Sequence, residues 1–231
     1  MNAEDERVLF ATIARDLASK TSEQAILDSV AEMAVRLVPG CDDAGVMIIT
    51  KQRKVETPAA TSQRVCDSDE AQAEHGEGPC FDASYAQEER NQAFHCLSTS
   101  TDPRWPRYLP RARELGVGSI LGFQLFSHEH TFGALNLYSD RENAFGAESE
   151  NRGWVLASHA AVALTSARTS RQLHAALENA RTIGQAVGMV RARYDMSEEQ
   201  ATSALLRMSQ ENNVKMADLA RSVVTDGVLS P

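Results

Sequence analysis

Apolar residues recur at helical spacing in two segments before residue 40. The first segment is 4–19, and the second follows Thr21-Ser22-Glu23 and ends at Pro39-Gly40. Their apolar positions are Val8, Leu9, Ile13 and Leu17 in the first segment, and Ile26, Val30, Met33, Ala34 and Leu37 in the second. This spacing places the apolar side chains on one side of a helix, so we predict two amphipathic helices.

The apolar pattern then becomes that of strands. Five segments fit short strands: 44–49, 54–57, 92–97, 120–126 and 132–138. The last two strands are joined by Ser127-His128-Glu129-His130, a connection short enough for a hairpin. A short helix is predicted over 108–115. For the polar stretch 62–90 we predict no helix or strand. Because strands and helices are mixed rather than strictly alternating, the pattern favours an α+β domain with a largely antiparallel sheet.

A single long helix is predicted over 147–194, where the chain has no proline. At 1.5 Å per residue it would be roughly 70 Å long, and a helix of this length usually pairs with a partner. Its middle is rich in alanine, although a clean heptad seam is absent. We therefore expect a coiled coil here.

Three apolar stripes with i, i+3, i+4, i+7 spacing occupy the C-terminal segment. They are Ile183, Ala186, Val187 and Val190; Ala201, Ala204, Leu205 and Met208; and Met216, Leu219, Ala220 and Val223. Ser197 and Gln200 fit a capping box, Asn212-Asn213 suits a turn, and Gly227 suits a helix end. We predict a three-helix unit whose first helix continues the long one.

Charge is divided unevenly along the 231 residues. Apolar residues make up 42% and charged residues 24%, which is ordinary globular composition, and the net charge of −9 excludes a uniformly basic nucleic-acid coat. Residues 171–231 hold seven basic and seven acidic residues, which leaves 16 of the 23 basic and 25 of the 32 acidic residues in 1–170. Three arginines and no acid lie in 179–194, and this basic stripe is locally effective because salt screens charges beyond about 10 Å.

The start of the chain and its cysteines favour a cytoplasmic protein. Residues 1–6 are acidic where a signal peptide is basic, and the apolar stretch 155–164 is much shorter than the roughly 20 residues of a membrane span. Four cysteines are too few for a secreted disulfide scaffold, so we expect free thiols.

The C-terminal segment resembles an ANTAR domain. The resemblance is carried by Arg181, Ile183-Gly184-Gln185-Ala186-Val187-Gly188-Met189, Met196-Ser197, Ala201, Leu205, Arg207, Ser209-Gln210, Asn213, Lys215 and Asp218-Leu219-Ala220. Thr202, where the family usually has phenylalanine, and Val187, where it often has lysine, depart from the pattern. The resemblance implies an RNA-binding antiterminator domain that acts as a dimer on paired stem-loops in leader transcripts.

Residues 20–165 resemble a GAF domain of the kind fused to ANTAR domains in actinobacteria. Three segments carry this resemblance, in the order Gly76-Glu77-Gly78-Pro79-Cys80, Thr101-Asp102-Pro103-Arg104-Trp105-Pro106 and Gly133-Ala134-Leu135-Asn136-Leu137-Tyr138. The resemblance implies a sensor domain, which we place at 1–168, followed by an RNA-binding domain at 169–231.

Ten residues of the C-terminal domain are candidate RNA contacts. They are Arg181, Gln185, Ala186, Gly188, Arg191, Arg207, Ser209, Gln210, Asn213 and Lys215. Cations can bind phosphates, amides and hydroxyls can bind unstacked bases, and the two small residues would admit a close backbone approach. Arg193 and Arg221 are further cations, and Tyr194 is the one aromatic residue available for stacking. The alternative is a solvated helix face that binds nothing.

Four residues are the candidate lining of a sensor pocket against the sheet. They are Cys80, Trp105, Phe123 and Asn136, for an unknown small ligand and with no predicted cofactor or metal. Cys66, Cys80, Cys96, His75 and His95 can instead be imagined to converge as a metal, haem or thiol-redox site. No C-x-x-C pair is present, however, and cysteine is commonly a buried apolar residue. A further alternative is that the four candidate pocket residues only pack in the hydrophobic core and bind no ligand.

No catalytic constellation is found. The six histidines are scattered, and Gly76-Glu77-Gly78 is too short for a phosphate-binding loop and is followed by no convincing helix. Since the two resemblances imply a regulator, we expect a cytoplasmic transcription regulator that is not an enzyme, that binds RNA stem-loops as a homodimer, and that binds neither a membrane nor DNA. The alternative is a dimeric ligand-binding or protein-interaction module without RNA binding.

Overall fold

The structure, a computed structural model, describes residues 3–49, 54–85, 93–126 and 131–227. It divides into two compact units, Met1–Ala167 and Arg168–Pro231. Within the described part of the chain, no helix is long and apolar enough to cross a membrane.

A five-stranded antiparallel sheet forms the centre of the N-terminal unit. Its strands are β1 (Asp43–Ile49), β2 (Val55–Ala60), β3 (Ala93–Cys96), β4 (Ser119–Phe126) and β5 (Thr131–Ser139). They are hydrogen-bonded in the order β2-β1-β5-β4-β3, and every neighbouring pair is antiparallel. The predicted α+β fold is confirmed. The predicted connection 127–130 lies outside the described residues.

Helices cover both faces of this sheet. They are α1 (Ala3–Ser19), α2 (Glu23–Leu37), α3 (Gln63–His75), α4 (Pro79–Tyr85), α5 (Leu109–Glu114) and the first part of α6 (Ala147–Tyr194). The Ser22 hydroxyl accepts a hydrogen bond from the Ala25 N–H at 3.1 Å, which caps α2 at its predicted start. The predicted long helix is confirmed as α6.

Helices α3 and α4 were not predicted, and the expectation that no helix follows Gly76-Glu77-Gly78 was wrong. The buried positions of α3 include Ser68, Asp69 and Gln72. Because these positions are polar, the helical period does not show in the pattern of apolar residues. Gly76 ends α3 with φ 62°, a left-handed conformation that glycine adopts without steric cost.

The sheet has two cores, because alternate residues of a strand point to opposite faces. Leu121 and Phe123 of β4 pack into a core with α1, α2 and α6. Ile120 of β4 and Tyr138 of β5 belong to a second core with α3, α4 and α5. The two faces therefore present different sets of side chains to their helices.

The C-terminal unit contains the second part of α6 together with α7 (Glu198–Glu211) and α8 (Met216–Asp226). One stripe from each helix forms the core: Ala186, Val187, Val190, Ala201, Leu205, Leu219, Ala220 and Val223. Ser197 and Gln200 form the predicted capping box, with hydrogen bonds of 3.2 and 2.9 Å. Gly227 ends α8 in the left-handed region, with φ 70°. The predicted three-helix unit is therefore present.

Candidate nucleic-acid interface and buried sensor core

Four of the candidate RNA contacts are exposed on α6, and three of them share one side of the helix. Arg181, Gln185 and Gly188 are exposed, at intervals of four and three residues. Val187 and Val190 of the same helix belong to the core. Because an α-helix turns once every 3.6 residues, the two sets occupy different sides. The hydrophobic core of the three-helix unit therefore forms without Arg181 or Gln185, whose side chains remain at the surface.

Further candidates lie at the end of α7 and in the turn to α8. Gln210, Asn213 and Lys215 are exposed, whereas Ser209 is half-buried and its hydroxyl donates a 2.6 Å hydrogen bond to the Val214 carbonyl. Lys215 is the N-cap residue of α8, and its side chain makes no capping hydrogen bond. The first backbone N–H groups of a helix attract anions, so Lys215 adds a cation to a position that already favours negative charge.

Ala186 does not lie at the surface with the other candidates. It is fully buried in the core of the three-helix unit. Val187 is also buried, at 8% exposure, whereas Thr202 is exposed on α7. Ala186 therefore packs between the helices and is not available for a close approach to RNA, because it lies on the apolar stripe of α6.

The cations of the unit fall into two groups. Arg191 pairs with Glu198 at 3.3 Å, Arg221 pairs with Asp218 at 2.9 Å, and the Arg193 guanidinium donates a 3.0 Å hydrogen bond to the Gly227 carbonyl. Arg181, Arg207 and Lys215 are exposed and form no ion pair with any described residue. Among the cations of residues 179–227, these three are the ones available to an external anion.

The four candidate lining residues of a sensor pocket do not share one pocket. Cys80, Trp105 and Asn136 are buried on the α3–α5 face of the sheet, with exposures of 0%, 4% and 0%. Phe123 lies on the opposite face, where its ring meets Trp154 edge-on at 5.2 Å. Strand alternation separates Phe123 from the other three, and the residues on the α3–α5 face are tightly enclosed.

A buried carboxylate stands at the centre of the α3–α5 face. Asp69 of α3 accepts hydrogen bonds from the Tyr138 hydroxyl at 2.5 Å, the Thr57 hydroxyl at 2.9 Å and the Asn136 amide at 3.1 Å. Burial raises the pKa of Asp69 to about 6, although the three hydrogen bonds oppose this shift. Sequence reasoning missed Asp69 because a carboxylate at a buried helix position gives no apolar signal.

Three of the four thiols are enclosed, and Cys66 is half-buried. Burial raises the pKa of Cys41 and of Cys96 to about 12, and raises the pKa of Cys80 well above its usual value. Cys80 Sγ lies 3.6 Å from the Tyr138 hydroxyl oxygen. Across the described residues, no group of three or more His, Cys, Asp or Glu side chains is placed to hold a metal ion. The suggested convergence of cysteines and histidines is therefore not seen there.

Solved structures, two GAF domains among them, resemble this chain over about two thirds of its length or more. A domain of a putative two-component sensor histidine kinase from Sinorhizobium meliloti shares 12% identity with a TM-score of 0.53, and covers 67% of this chain and 99% of its own. The PixJ GAF domain of Thermosynechococcus elongatus in its blue-light absorbing form shares 17% identity with a TM-score of 0.53, covering 67% and 92%. The GAF domain of an Acinetobacter phosphoenolpyruvate-protein phosphotransferase shares 15% identity with the same TM-score, covering 73% and 97%. At these identities the similarity shows the fold.

Two domain families match the sequence itself. The GAF domain family matches residues 20–165, and the ANTAR domain family matches residues 171–224. No curated protein matches the chain. The GAF match covers more than half of the chain, and the ANTAR match covers the three-helix unit. The chain therefore belongs to the GAF domain family and combines its GAF domain with a C-terminal ANTAR domain.

Proposed function

We propose that this protein is a cytoplasmic transcription regulator in which a GAF sensor domain, residues 1–168, controls an RNA-binding antiterminator domain, residues 169–231. The antiterminator domain binds stem-loops in leader transcripts and favours an antiterminator over a terminator. The protein's role is regulatory rather than catalytic. The observation that carries the proposal is a set of exposed cations, Arg181, Arg207 and Lys215, that form no ion pair with any described residue and lie on a unit that matches the ANTAR family.

The chemistry of the exposed side chains suits RNA. Arg181, Arg207 and Lys215 supply charge for phosphates, and the exposed amides of Gln185 and Gln210 supply hydrogen bonds for bases. Sequence-specific RNA recognition requires both kinds of contact, because phosphate contacts carry no sequence information. Residues 169–231 carry no net charge, so local placement rather than net charge provides the attraction.

A homodimer is part of the proposal. Residues 169–178 of α6 are all exposed, and Leu173 and Leu177 have exposures of 59% and 61%. Large apolar side chains one helical turn apart on an otherwise uncovered helix are typical of a helix–helix contact. A second copy that covers this segment would bring two ANTAR domains together, and two domains bound to two linked stem-loops gain avidity through effective concentration.

The experiment that tests the function is a salt titration of binding between the full chain and RNA hairpins. Binding through phosphates weakens as salt rises, because counterions are released. The Arg181→Ala/Arg207→Ala variant is expected to bind more weakly, and each arginine that no longer binds a phosphate should reduce the salt slope by about one. The Arg111→Ala/Arg113→Ala variant removes the same charge from two exposed arginines of α5, outside the ANTAR domain, and serves as the control.

Two outcomes would overturn the proposal. If the wild-type chain binds no hairpin, the alternative of a ligand-binding or protein-interaction module replaces it. If both double variants lose the same affinity, net charge alone accounts for binding and the assignment of Arg181 and Arg207 fails.

A further inference from the structure

The Asn136 side chain of β5 is fully buried, and only half of its amide group is satisfied. Its Nδ2 donates a 3.1 Å hydrogen bond to Asp69 Oδ1, whereas its Oδ1 has no hydrogen-bond partner among the described residues. Buried side-chain atoms without a partner are rare, because the hydrogen bond that they lose to water is not replaced. The orientation of this amide therefore satisfies Asp69 and leaves one acceptor unused.

The unused oxygen borders a small space that a second acceptor also borders. A Cβ built on Gly122, which pairs with Asn136 across β4 and β5, would lie 3.8 Å from Asn136 Oδ1 and 3.5 Å from the Pro79 carbonyl oxygen of α4. The Ala83 methyl carbon would lie 3.7 Å from the same point. Two acceptors cannot bond each other, whereas a reversed Asn136 amide would bring its N–H donors to this space.

The ionised form of Asp69 accounts for the present orientation of the amide. A carboxylate only accepts hydrogen bonds, so it holds the nitrogen end of the amide toward itself. A neutral carboxyl carries an O–H that needs an acceptor. Of its three partners, Thr57, Asn136 and Tyr138, Asn136 is the one with a buried side-chain atom that lacks a described partner. Asn136 Oδ1 becomes the acceptor of that O–H when the amide turns over.

The titratable side chains that face Asp69 are two thiols and two phenols. They are Cys66 of α3, Cys80 of α4, Tyr108 at the start of α5 and Tyr138 of β5. Burial raises the pKa of all four, so they are neutral between pH 5 and pH 8. No cation among the described residues contacts Asp69. In this cluster Asp69 is therefore the group that gains a proton as the pH falls.

Thr57 connects Asp69 to the solvent. Its hydroxyl donates a 2.9 Å hydrogen bond to Asp69 Oδ2, and the same residue lines an open groove of about 490 Å³ between β2 and α3. The charged side chains of this groove are Lys54, Glu70 and Glu74. Because a hydroxyl both accepts and donates, it can take up a proton from water and release its own to the carboxylate. Asp69 can thus exchange its proton with the solvent while the domain stays folded.

We propose that the GAF domain binds one proton at Asp69 and that the Asn136 side-chain amide turns over in response. The proton comes from the solvent, Asp69 becomes a neutral carboxyl, and its O–H donates to Asn136 Oδ1. The Nδ2 of Asn136 leaves Asp69 and points to the space beside the Pro79 carbonyl. The O–H of Asp69 is the one covalent bond that forms, and the inference does not depend on RNA binding. The domain thus contains a proton-driven rearrangement that involves α3, α4 and β5.

Nuclear magnetic resonance of the isotope-labelled, full-length chain tests both parts of the proposal. The Asp69 carboxyl carbon is expected to titrate between pH 5 and pH 8, with a pKa of about 6. Nuclear Overhauser contacts then report the direction of the amide. Contacts from the Asn136 side-chain N–H protons to the Gly122 α-protons and the Ala83 methyl group should strengthen severalfold at pH 5 relative to pH 8.

Two matched variants separate Asp69 from other sources of pH dependence. Asp69→Asn has no titratable group at this position, so the Asn136 contacts should be the same at both pH values. Asp67→Asn removes a partly buried carboxylate of the same helix and should keep the full change. The wild-type measurement alone decides the proposal if Asp69→Asn does not fold.

Each unexpected result overturns a stated part of the proposal. An Asp69 carboxyl that does not titrate between pH 5 and pH 8 overturns the proton site. A carboxyl that titrates while the Asn136 contacts stay constant overturns the rearrangement. Contacts that change equally in both variants show that another group causes the change and overturn the role of Asp69.

Discussion

Tyr138 donates a 2.5 Å hydrogen bond to Asp69, although the two residues are 69 positions apart in the chain. Both side chains are fully buried, Tyr138 on β5 and Asp69 on α3. The Asp69 carboxylate receives its hydrogen bonds from neutral donors and forms no ion pair with any described residue. A buried carboxylate without a cation binds a proton more readily than one in water, so the core of the GAF domain is linked to pH.

The GAF domain is expected to be more stable at pH 5 than at pH 8 through Asp69. The folded pKa of about 6 lies above the ordinary value of 3.8, so the folded state binds the proton more tightly than the unfolded state. This contribution is fully present below the unfolded pKa and is lost as pH rises through about 6. It amounts to about 1 kcal/mol between pH 8 and pH 5. Urea unfolding followed by tryptophan fluorescence measures it, since Trp105 and Trp154 both lie in the N-terminal unit.

Two matched variants identify the residue responsible for this pH dependence. Asp69→Asn should flatten the difference in unfolding free energy between pH 5 and pH 8. Asp67→Asn, two positions away on α3 and only partly buried, should retain it. A pH dependence that is the same in both variants would show that another group is its source.

Gly153→Ala is expected to destabilise the GAF domain. A Cβ at Gly153 would overlap two ring atoms of Phe123, so the ring must move out of its contact with Trp154. Overpacking of this kind costs about 1–3 kcal/mol, more than the gain of about 1 kcal/mol from the higher helix propensity of alanine. Thermal unfolding followed by tryptophan fluorescence measures the destabilisation.

Gly184→Ala, in the same helix, provides the contrast. Its added Cβ would meet nothing within 4 Å, so helix propensity acts alone and the change should stabilise by about 1 kcal/mol. Circular dichroism during thermal unfolding follows this variant. Equal effects of the two substitutions would contradict the packing of Phe123 described above.

Arg193 and Arg181 are expected to separate stability from RNA binding. Because Arg193 donates to the Gly227 carbonyl at the end of α8, Arg193→Ala should lower the stability of the ANTAR domain by about 0.5–1.5 kcal/mol. Arg181→Ala removes an exposed arginine that forms no ion pair within the described part of the chain, and should leave stability unchanged while weakening RNA binding. Hydrogen exchange of the α8 amides measures the loss of stability in Arg193→Ala, and titration with RNA hairpins measures the loss of affinity in Arg181→Ala. Faster hydrogen exchange of the α8 amides in Arg181→Ala would show that Arg181 also stabilises the ANTAR domain.

Leu173→Glu/Leu177→Glu is expected to shift the protein from dimer to monomer. Like charges facing each other across a helix pair repel, and the two leucines are exposed in the single chain, so its own fold loses little. Sedimentation equilibrium measures the association, and Gln172→Glu/Ala175→Glu supplies the same charge at other exposed positions of α6. If both variants associate like the wild type, the dimer contact lies elsewhere.

Much of the architecture follows from local pattern. The amphipathic helices α1 and α2, the strands, the long α6 and the three stripes of the ANTAR domain each carry their own periodicity. Ser197 and Gln200 even specify their capping box within four residues. In these segments the spacing of the buried apolar residues equals the period of the helix or strand, so a short stretch of sequence is enough to predict the element.

Sequence by itself therefore determined the element types outside α3 and α4, the two domain families and the candidate cations of α6 and α7. Only the tertiary structure decided that Ala186 is core, that Phe123 faces away from Cys80, and that Asp69 lies buried beneath Tyr138. The physical reason is distance along the chain. A local period shows which side chains share a face of an element, whereas long-range packing decides what that face contacts, and a polar residue is buried only where remote donors satisfy it.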